Sequence, residues 1–205
     1  MHPNKTFRKT DREHTLDFAR KRGFGILALN GPEGPLAAHI PFTISPDGRE
    51  IDMHILRSNP VAAALDTPQK ALLSVSGPDA YISPDWYGIE NQVPTWNYVA
   101  VHLRGTLHRL PPEDLPASLE KLSETFETRL APKPVWKMDK VDADILARMQ
   151  RTLVPIRMSV STADSTWKLG QNKPPSATQG AAAGLATSDI GQEIAAMAAL
   201  LKSPR

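Results

Sequence analysis

Between Gly77 and His102 the sequence reads GPDAYISPDWYGIENQVPTWNYVAVH, gathering all three tyrosines and two of the four tryptophans of a chain that is only 6% aromatic. Rings with an O–H or N–H tip can stack on a flat heterocycle while their polar ends meet its rim. The same cluster would also serve as an unusual core or a seam between subunits. His39, His54 and His102 each stand among apolar neighbours on strand-like segments, and imidazole is the commonest nitrogen ligand of metals and haem. No carboxylate or thiolate accompanies them at ligand spacing, so hydrogen-bonded structural histidines, and no metal site, are the expectation. Phosphate-loop, zinc-protease and nucleophile-elbow patterns are absent, and Gly23-x-Gly25 lacks the rest of a dinucleotide fingerprint.

Composition narrows the setting. With 205 residues, 40% hydrophobic and 22% charged, the chain can bury a substantial core and has neither disordered nor coiled-coil character. Lys and Arg number 24 against 22 Asp and Glu, a net of +2, so composition supplies no field that would hold nucleic acid by counterion release. Contact with DNA would have to be local or shared between subunits. The absence of cysteine removes disulfides and thiolate chemistry. The polar start, MHPNKTFRKTDREH, has neither a signal-peptide core nor a span, so a cytoplasmic protein with no membrane contact is expected.

The elements that must position these residues follow from periodicity. Thr10 and Glu13 stand in capping-box spacing and predict a first helix to about Lys21, burying Leu16 and Phe18 or neighbours. Strands are predicted at 24–30, 36–44, 50–56 and 70–76, separated by Gly31-Pro32-Glu33-Gly34, Ser45-Pro46-Asp47-Gly48 and a short helix after Asn59-Pro60. Residues 77–96 are read as an ordered loop because Pro, Tyr and Trp crowd it. A long strand is expected at 97–110, helices at about 113–130 and 142–151, then a strand through Ile156, Met158 and Val160 and another at 166–170 across an Ala163-Asp164 turn. The stretch QNKPPSATQGAAAGLATS is read as loop or linker, and residues 189–201 as an amphipathic helix. The class is mainly β (β plus α), an antiparallel barrel with flanking helices.

Several segments resemble the PaiB family of FMN-binding negative transcriptional regulators: YISPDWY at 81–87, VPTWNYVAVH at 93–102, HILRSNP at 54–60 and KLGQNK at 168–173. MHPNKTF at the start, Asp11 soon after it and AAHIPF at 37–42 fall in the family's order, and the likeness runs from Met1 to about Leu185. It implies an FMN-binding split β-barrel, PNP-oxidase-like, that forms a homodimer with flavin at the subunit interface. Residues 1–175 would form this domain, with helices inserted at about 112–151, and 176–205 a linker and terminal helix. The chain departs from the family at Gly170, where serine is usual, at Lys173, where arginine is usual, and by lacking an acidic residue soon after.

On that resemblance the cofactor is FMN, and its contacts are expected from four places. Arg57 and Ser58, just before Asn59-Pro60, offer a guanidinium, a hydroxyl and a helix start to a phosphate. Lys168, Gln171 and Asn172 would meet the isoalloxazine rim or ribityl hydroxyls. Thr95, Trp96 and Asn97 could read the pyrimidine edge, and His39 or His54 would lie beside the ring. No catalytic acid or base is evident, and no helix-turn-helix or basic stripe is present, only Arg8, Arg12, Arg20, Lys21 and Arg22 near the start. The expectation is therefore a flavin-binding regulator, with DNA as a partner on weak grounds. A flavin-dependent oxidoreductase is the alternative, followed by a haem or other small-ligand carrier.

Overall fold

Alternating apolar and polar residues in the first third of the chain fold into a meander of hairpins. The computed structural model describes residues 1–204 and divides them into two compact units. One, the barrel unit, comprises Leu16–Val75 and Leu103–Ala163; the other, the terminal unit, comprises Met1–Thr15, Ser76–His102 and the chain from Asp164 onward.

In the barrel unit, β1 (Phe24–Gly31) pairs antiparallel with β2 (Gly34–Ile44), and β2 with β3 (Glu50–Leu56). A short helix, α2 (Pro60–Ala63), leads to β4 (Gln69–Ile82), and β5 (Thr95–Arg109) follows. Helix α1 (Arg12–Arg22) precedes the strands, whereas α3 (Leu115–Glu127) and α4 (Ala143–Arg151) fall between β5 and β6 (Leu153–Lys168). The order β1-β2-β3-β6-β5-β4 closes on itself because β1 also pairs with β4, from Ile26 opposite Ser74 to Leu29 opposite Ala71. Closure leaves no strand edge around this ring. Inward positions at every second residue fill it: Leu27, Ile40, Phe42, Ile51, Met53, Leu73, Leu103, Leu107, Ile156 and Met158 are all essentially inaccessible. The antiparallel barrel expected from the strand pattern is thus present.

A buried carboxylate fastens a helix to this barrel. Asp52 of β3 is 8% exposed and accepts hydrogen bonds from Arg157 Nε of β6 at 2.6 Å and from Lys121 Nζ of α3 at 2.9 Å. Arg157 also pairs with Glu50 at 3.3 Å. Burial alone would raise the Asp52 carboxyl, but the hydrogen bonds and charges of Arg157 and Lys121 outweigh it and hold it below the ordinary aspartate range.

The terminal unit contains the far portions of β4, β5 and β6, together with β7 (Gly191–Gln192), which pairs with Asp79 and Ala80 of β4. The amino-terminal segment is laced along β6: His2 N donates to Thr166 Oγ1 at 3.1 Å, Arg8 pairs with Asp164 at 3.2 Å, and the Thr15 and Ser165 hydroxyls share a buried hydrogen bond at 2.8 Å.

Four local expectations are corrected. Asp11, not Thr10, caps α1, its Oδ1 accepting from His14 N at 2.8 Å. Residues 77–82 continue β4 as strand, where β7 pairs with Asp79 and Ala80 and Tyr81 N donates to Ile190 O at 3.1 Å. No turn occurs at Ala163-Asp164, since Asp164 is engaged by Arg8 and β6 runs unbroken for 16 residues.

The fourth is the supposed linker, which holds α5 (Pro175–Gly184). Pro175 suits its first turn, alanine favours helix, and Ala177, Thr178, Ala181 and Ala182 form its buried face. Gly184 lets Trp86 come close, for a Cβ there would lie 2.3 Å from Trp86 Cδ2. The terminal helix α6 (Ile194–Lys202) starts later than the predicted 189, since Gly191–Gln192 form β7 and Ile190 is exposed, but Met197 and Leu201 are buried as the periodicity implies.

Two outcomes follow. Asp52→Asn should lower stability by about 2 kcal/mol in chemical denaturation, the scale of lost charged hydrogen bonds rather than of a fully buried pair, because Lys121 and Arg157 are partly exposed. Since the folded-state value is depressed, this contribution is complete above the unfolded aspartate value of ~3.9 and disappears as pH falls through the lower folded one, so the variant should lose its disadvantage in acid. Gly184→Val should cost about 1–3 kcal/mol by overpacking against Trp86; an unchanged denaturation midpoint would contradict that packing.

Candidate functional site

The Pro-rich end of the aromatic stretch forms a 3-10 turn, Pro84–Tyr87, which Gly88 terminates. Tyr87 is 3% exposed, and its buried hydroxyl has no hydrogen-bond partner among the described residues; burial pushes the phenol upward. The Lys173 ammonium lies 4.3 Å from the centre of the Tyr87 ring and donates to the Gln92 side-chain oxygen. Lys168, the last residue of β6, donates to Thr95 Oγ1 at the first residue of β5. Thr95 and Asn97, two apart on a strand, share a face. Asn97 is 1% exposed, and its buried amide Nδ2 is likewise without a partner.

The two lysines are close enough to affect each other. Burial first, and the positive charge of Lys173 second, push the Lys168 ammonium below the ordinary lysine range. His2 is lowered by burial, then by Lys168 and the amino terminus. Among the described residues neither lysine forms an ion pair with a carboxylate; both donate to neutral oxygens. Two unneutralised cations in the same unit as two orphaned buried donors suit a ligand rich in acceptor atoms and negative charge.

Lys168 and Lys173 are separated by a tight turn. Gly170 adopts φ +74°, a left-handed conformation that an L side chain rarely enters, so glycine in place of the family's serine matches this backbone. Gln171 serves the turn itself: its Oε1 accepts from Leu169 N at 2.9 Å and its Nε2 donates to Trp167 O at 2.6 Å. Asn172 is exposed. Trp96 is 46% exposed and packs edge-on to Tyr81 at 6.2 Å between ring centres.

The remaining sequence-derived residues belong to the barrel unit, except His102, which ends a segment of the terminal unit. Arg57 is exposed and already engaged, donating from Nε to Arg151 O and from Nη2 to Leu153 O, each at 3.3 Å. Ser58 is exposed beside it. The helix start behind them is short, since α2 has four residues and Asn59 Oδ1 already accepts from Val61 N at 2.9 Å. His39 is exposed, 6.4 Å from the Phe24 ring. His54 is half-buried with an unpartnered Nδ1, and burial pushes its imidazole down, favouring the neutral form. His102 lies half-buried on β5.

Sequence reasoning had not placed Lys173, Gln92 or Tyr87 in a constellation. The signals present were the place of Lys173 at the family's usual arginine and of Tyr87 in YISPDWY. It also missed a cavity of about 520 Å³ in the terminal unit, enclosed by the amino-terminal segment, the end of β6 and the end of α6. Phe7, Trp167 and Leu200 give it apolar walls, and the His14 ring tilts against Trp167 at 4.9 Å. Trp167 and Lys168 are consecutive in a strand, so they point to opposite faces, and the cavity adjoins the lysine turn through Leu169 and Gln171.

Comparison with known proteins agrees with this architecture. Residues 1–162 match the family described as "Putative FMN-binding domain". The chain is 31% identical over 175 residues to Protease synthase and sporulation protein PAI 2 of Bacillus subtilis (strain 168), covering 84% of this chain and 83% of that protein. Among solved structures, a flavocytochrome from Azotobacter vinelandii superposes with a TM-score of 0.60 at 15% identity, over 83% of this chain and 73% of that one. The FAD and haem binding protein from Mycobacterium smegmatis gives 0.57 at 18% identity, over 80% and 74%. At such identities these two likenesses concern the fold alone. The family match and the extended identity to the Bacillus protein together place the chain in the PaiB family of flavin-binding split β-barrels.

Proposed function

We propose that this chain binds FMN through the Lys168–Lys173 turn and the start of β5, that it does so as a homodimer, and that it is a flavin-responsive regulator rather than a dedicated enzyme. The observation that carries the reading is the lysine pair without carboxylates, in the same unit as the orphaned donors of Asn97 and Tyr87. FMN answers that donor set with carbonyl and ring-nitrogen acceptors and a phosphate. Bound flavin supplies a redox-active ring whose state can bias a conformational equilibrium.

The chain's own residues then have distinct tasks. Lys168 and Lys173 supply positive charge, Thr95 fixes the Lys168 ammonium, and Gln171 holds the turn that sets the spacing. Asn97 and Tyr87 supply hydrogen bonds whose desolvation cost the fold has already met. Trp96, Val93 and Ile190 are 46%, 72% and 50% exposed, an apolar surface suited to a second copy of the chain. No described helix is long and apolar enough to cross a membrane. A regulatory role rests on kinship with the Bacillus protein, whose name refers to protease synthesis and sporulation.

Purified protein should be yellow or should take up FMN in equilibrium titration, and absence of both would overturn the reading. Lys168→Met and Lys173→Met should each weaken FMN about tenfold, equivalent to ~1.4 kcal/mol. Arg57→Ala tests the phosphate role of Arg57 and Ser58 separately. Because Lys168 deprotonates below the ordinary lysine value of ~10.4, FMN affinity should fall as pH rises through this lowered value, and less so in Lys168→Met. Light scattering should give a dimer that Trp96→Ser weakens. A salt-dependent gel shift with upstream DNA supports regulation, whereas rapid NAD(P)H-driven bleaching of the flavin would favour an oxidoreductase.

A further inference from the structure

The 520 Å³ cavity of the terminal unit has a chemistry of its own, and it is within the size range of small-ligand sites. Its walls are aromatic and aliphatic: Phe7 and Trp167 are 5% and 8% exposed, so their rings are fixed by packing before any ligand arrives. Two charges of opposite sign, Lys9 and Asp11, also line it, on the short segment between the amino-terminal 3-10 turn and α1.

These two charges do not neutralise each other. Among the described residues Lys9 has no ion-pair or hydrogen-bond partner for its ammonium, and Asp11 commits one oxygen to capping His14 N while the other has no partner. A wall of rings beside one uncommitted cation and one uncommitted carboxylate is complementary to a molecule with a ring at one end and both an acid and an amine at the other. A flavin carries no amine for Asp11, and its phosphate would meet that carboxylate with repulsion. A purely apolar ligand would leave both charges without use.

We propose that this cavity binds a free aromatic amino acid, with the ring against Trp167, the α-carboxylate at Lys9 and the α-ammonium at Asp11. The aromatic wall is distinct from the lysine side chains of the FMN reading, because Trp167 and Lys168 face opposite sides of β6, while Gln171 of the lysine turn borders the cavity. The chain would thereby sense an amino acid as well as a flavin.

Calorimetric titration of the full chain with L-phenylalanine, in the presence and absence of FMN, tests this directly. Two companions sharpen it: 3-phenylpropionate lacks the amine and phenethylamine lacks the carboxylate, while the benzene ring is common to all three compounds. Lys9→Met should weaken L-phenylalanine and 3-phenylpropionate about tenfold each and leave phenethylamine unchanged. Asp11→Asn should weaken L-phenylalanine and phenethylamine and leave 3-phenylpropionate unchanged. Asparagine caps a helix as well as aspartate, so α1 should survive this second substitution. The proposal is overturned if L-phenylalanine gives no binding up to its solubility limit, if neither variant changes its affinity, or if FMN displaces it competitively. Failure of FMN to bind at all, with L-phenylalanine still binding, would sink the flavin reading and leave this one standing.

Discussion

Pairing of β1 with β4 is the interaction on which the barrel unit depends. A row of hairpins can leave two open edges with unsatisfied N–H and C=O groups; here the register from Ile26–Ser74 to Leu29–Ala71 joins the first strand to the fourth and removes both. Once the ring is closed, alternate residues have only one interior to occupy, and Leu27, Phe42, Ile51, Leu73, Leu103 and Ile156 fill it. The polar clamp at Asp52 then ties α3 to β3 and β6 from one buried carboxylate, satisfied by two cations rather than left as an isolated charge.

The terminal unit follows a different economy of charge. Asp52 shows that the fold can neutralise a cation where it serves structure, and Arg8 with Asp164 shows the same at the surface. Lys168 and Lys173 stand outside that pattern. They repel one another, Lys168 is partly desolvated, and no acid relieves either. Such an arrangement costs folding free energy in the absence of a ligand, and that cost is recoverable when an anion arrives. Gly170 and Gln171 hold the turn between the lysines, so their spacing is set by backbone geometry and not by mutual attraction.

Much of this was legible in the sequence, for identifiable reasons. The barrel strands largely alternate and are separated by turns rich in Pro, Gly and Asp, so local pattern and final structure agree. The errors arose where distant partners decide. Pro78 argues for a loop until β7, more than a hundred residues later, pairs with Asp79 and Ala80 beside it. Ala163-Asp164 looks like a turn until Arg8 takes the carboxylate. The α5 segment looks like a linker because its packing surface consists of alanine and glycine, whose small size matters only opposite Trp86. For the site, Thr95, Asn97 and Lys168 emerged from the motif resemblance, whereas Lys173, Tyr87 and the cavity at the chain ends depend on contacts across 80 residues or more.

Trp167 and His14 have a consequence beyond recognition. With ring centres 4.9 Å apart, the His14 imidazole lies against the Trp167 indole, and both rings line the cavity. The other tryptophans sit elsewhere, with Trp96 open to water and Trp86 under α5. One of the four natural fluorophores is therefore placed where light output reports the occupancy of a single crevice, with no label introduced.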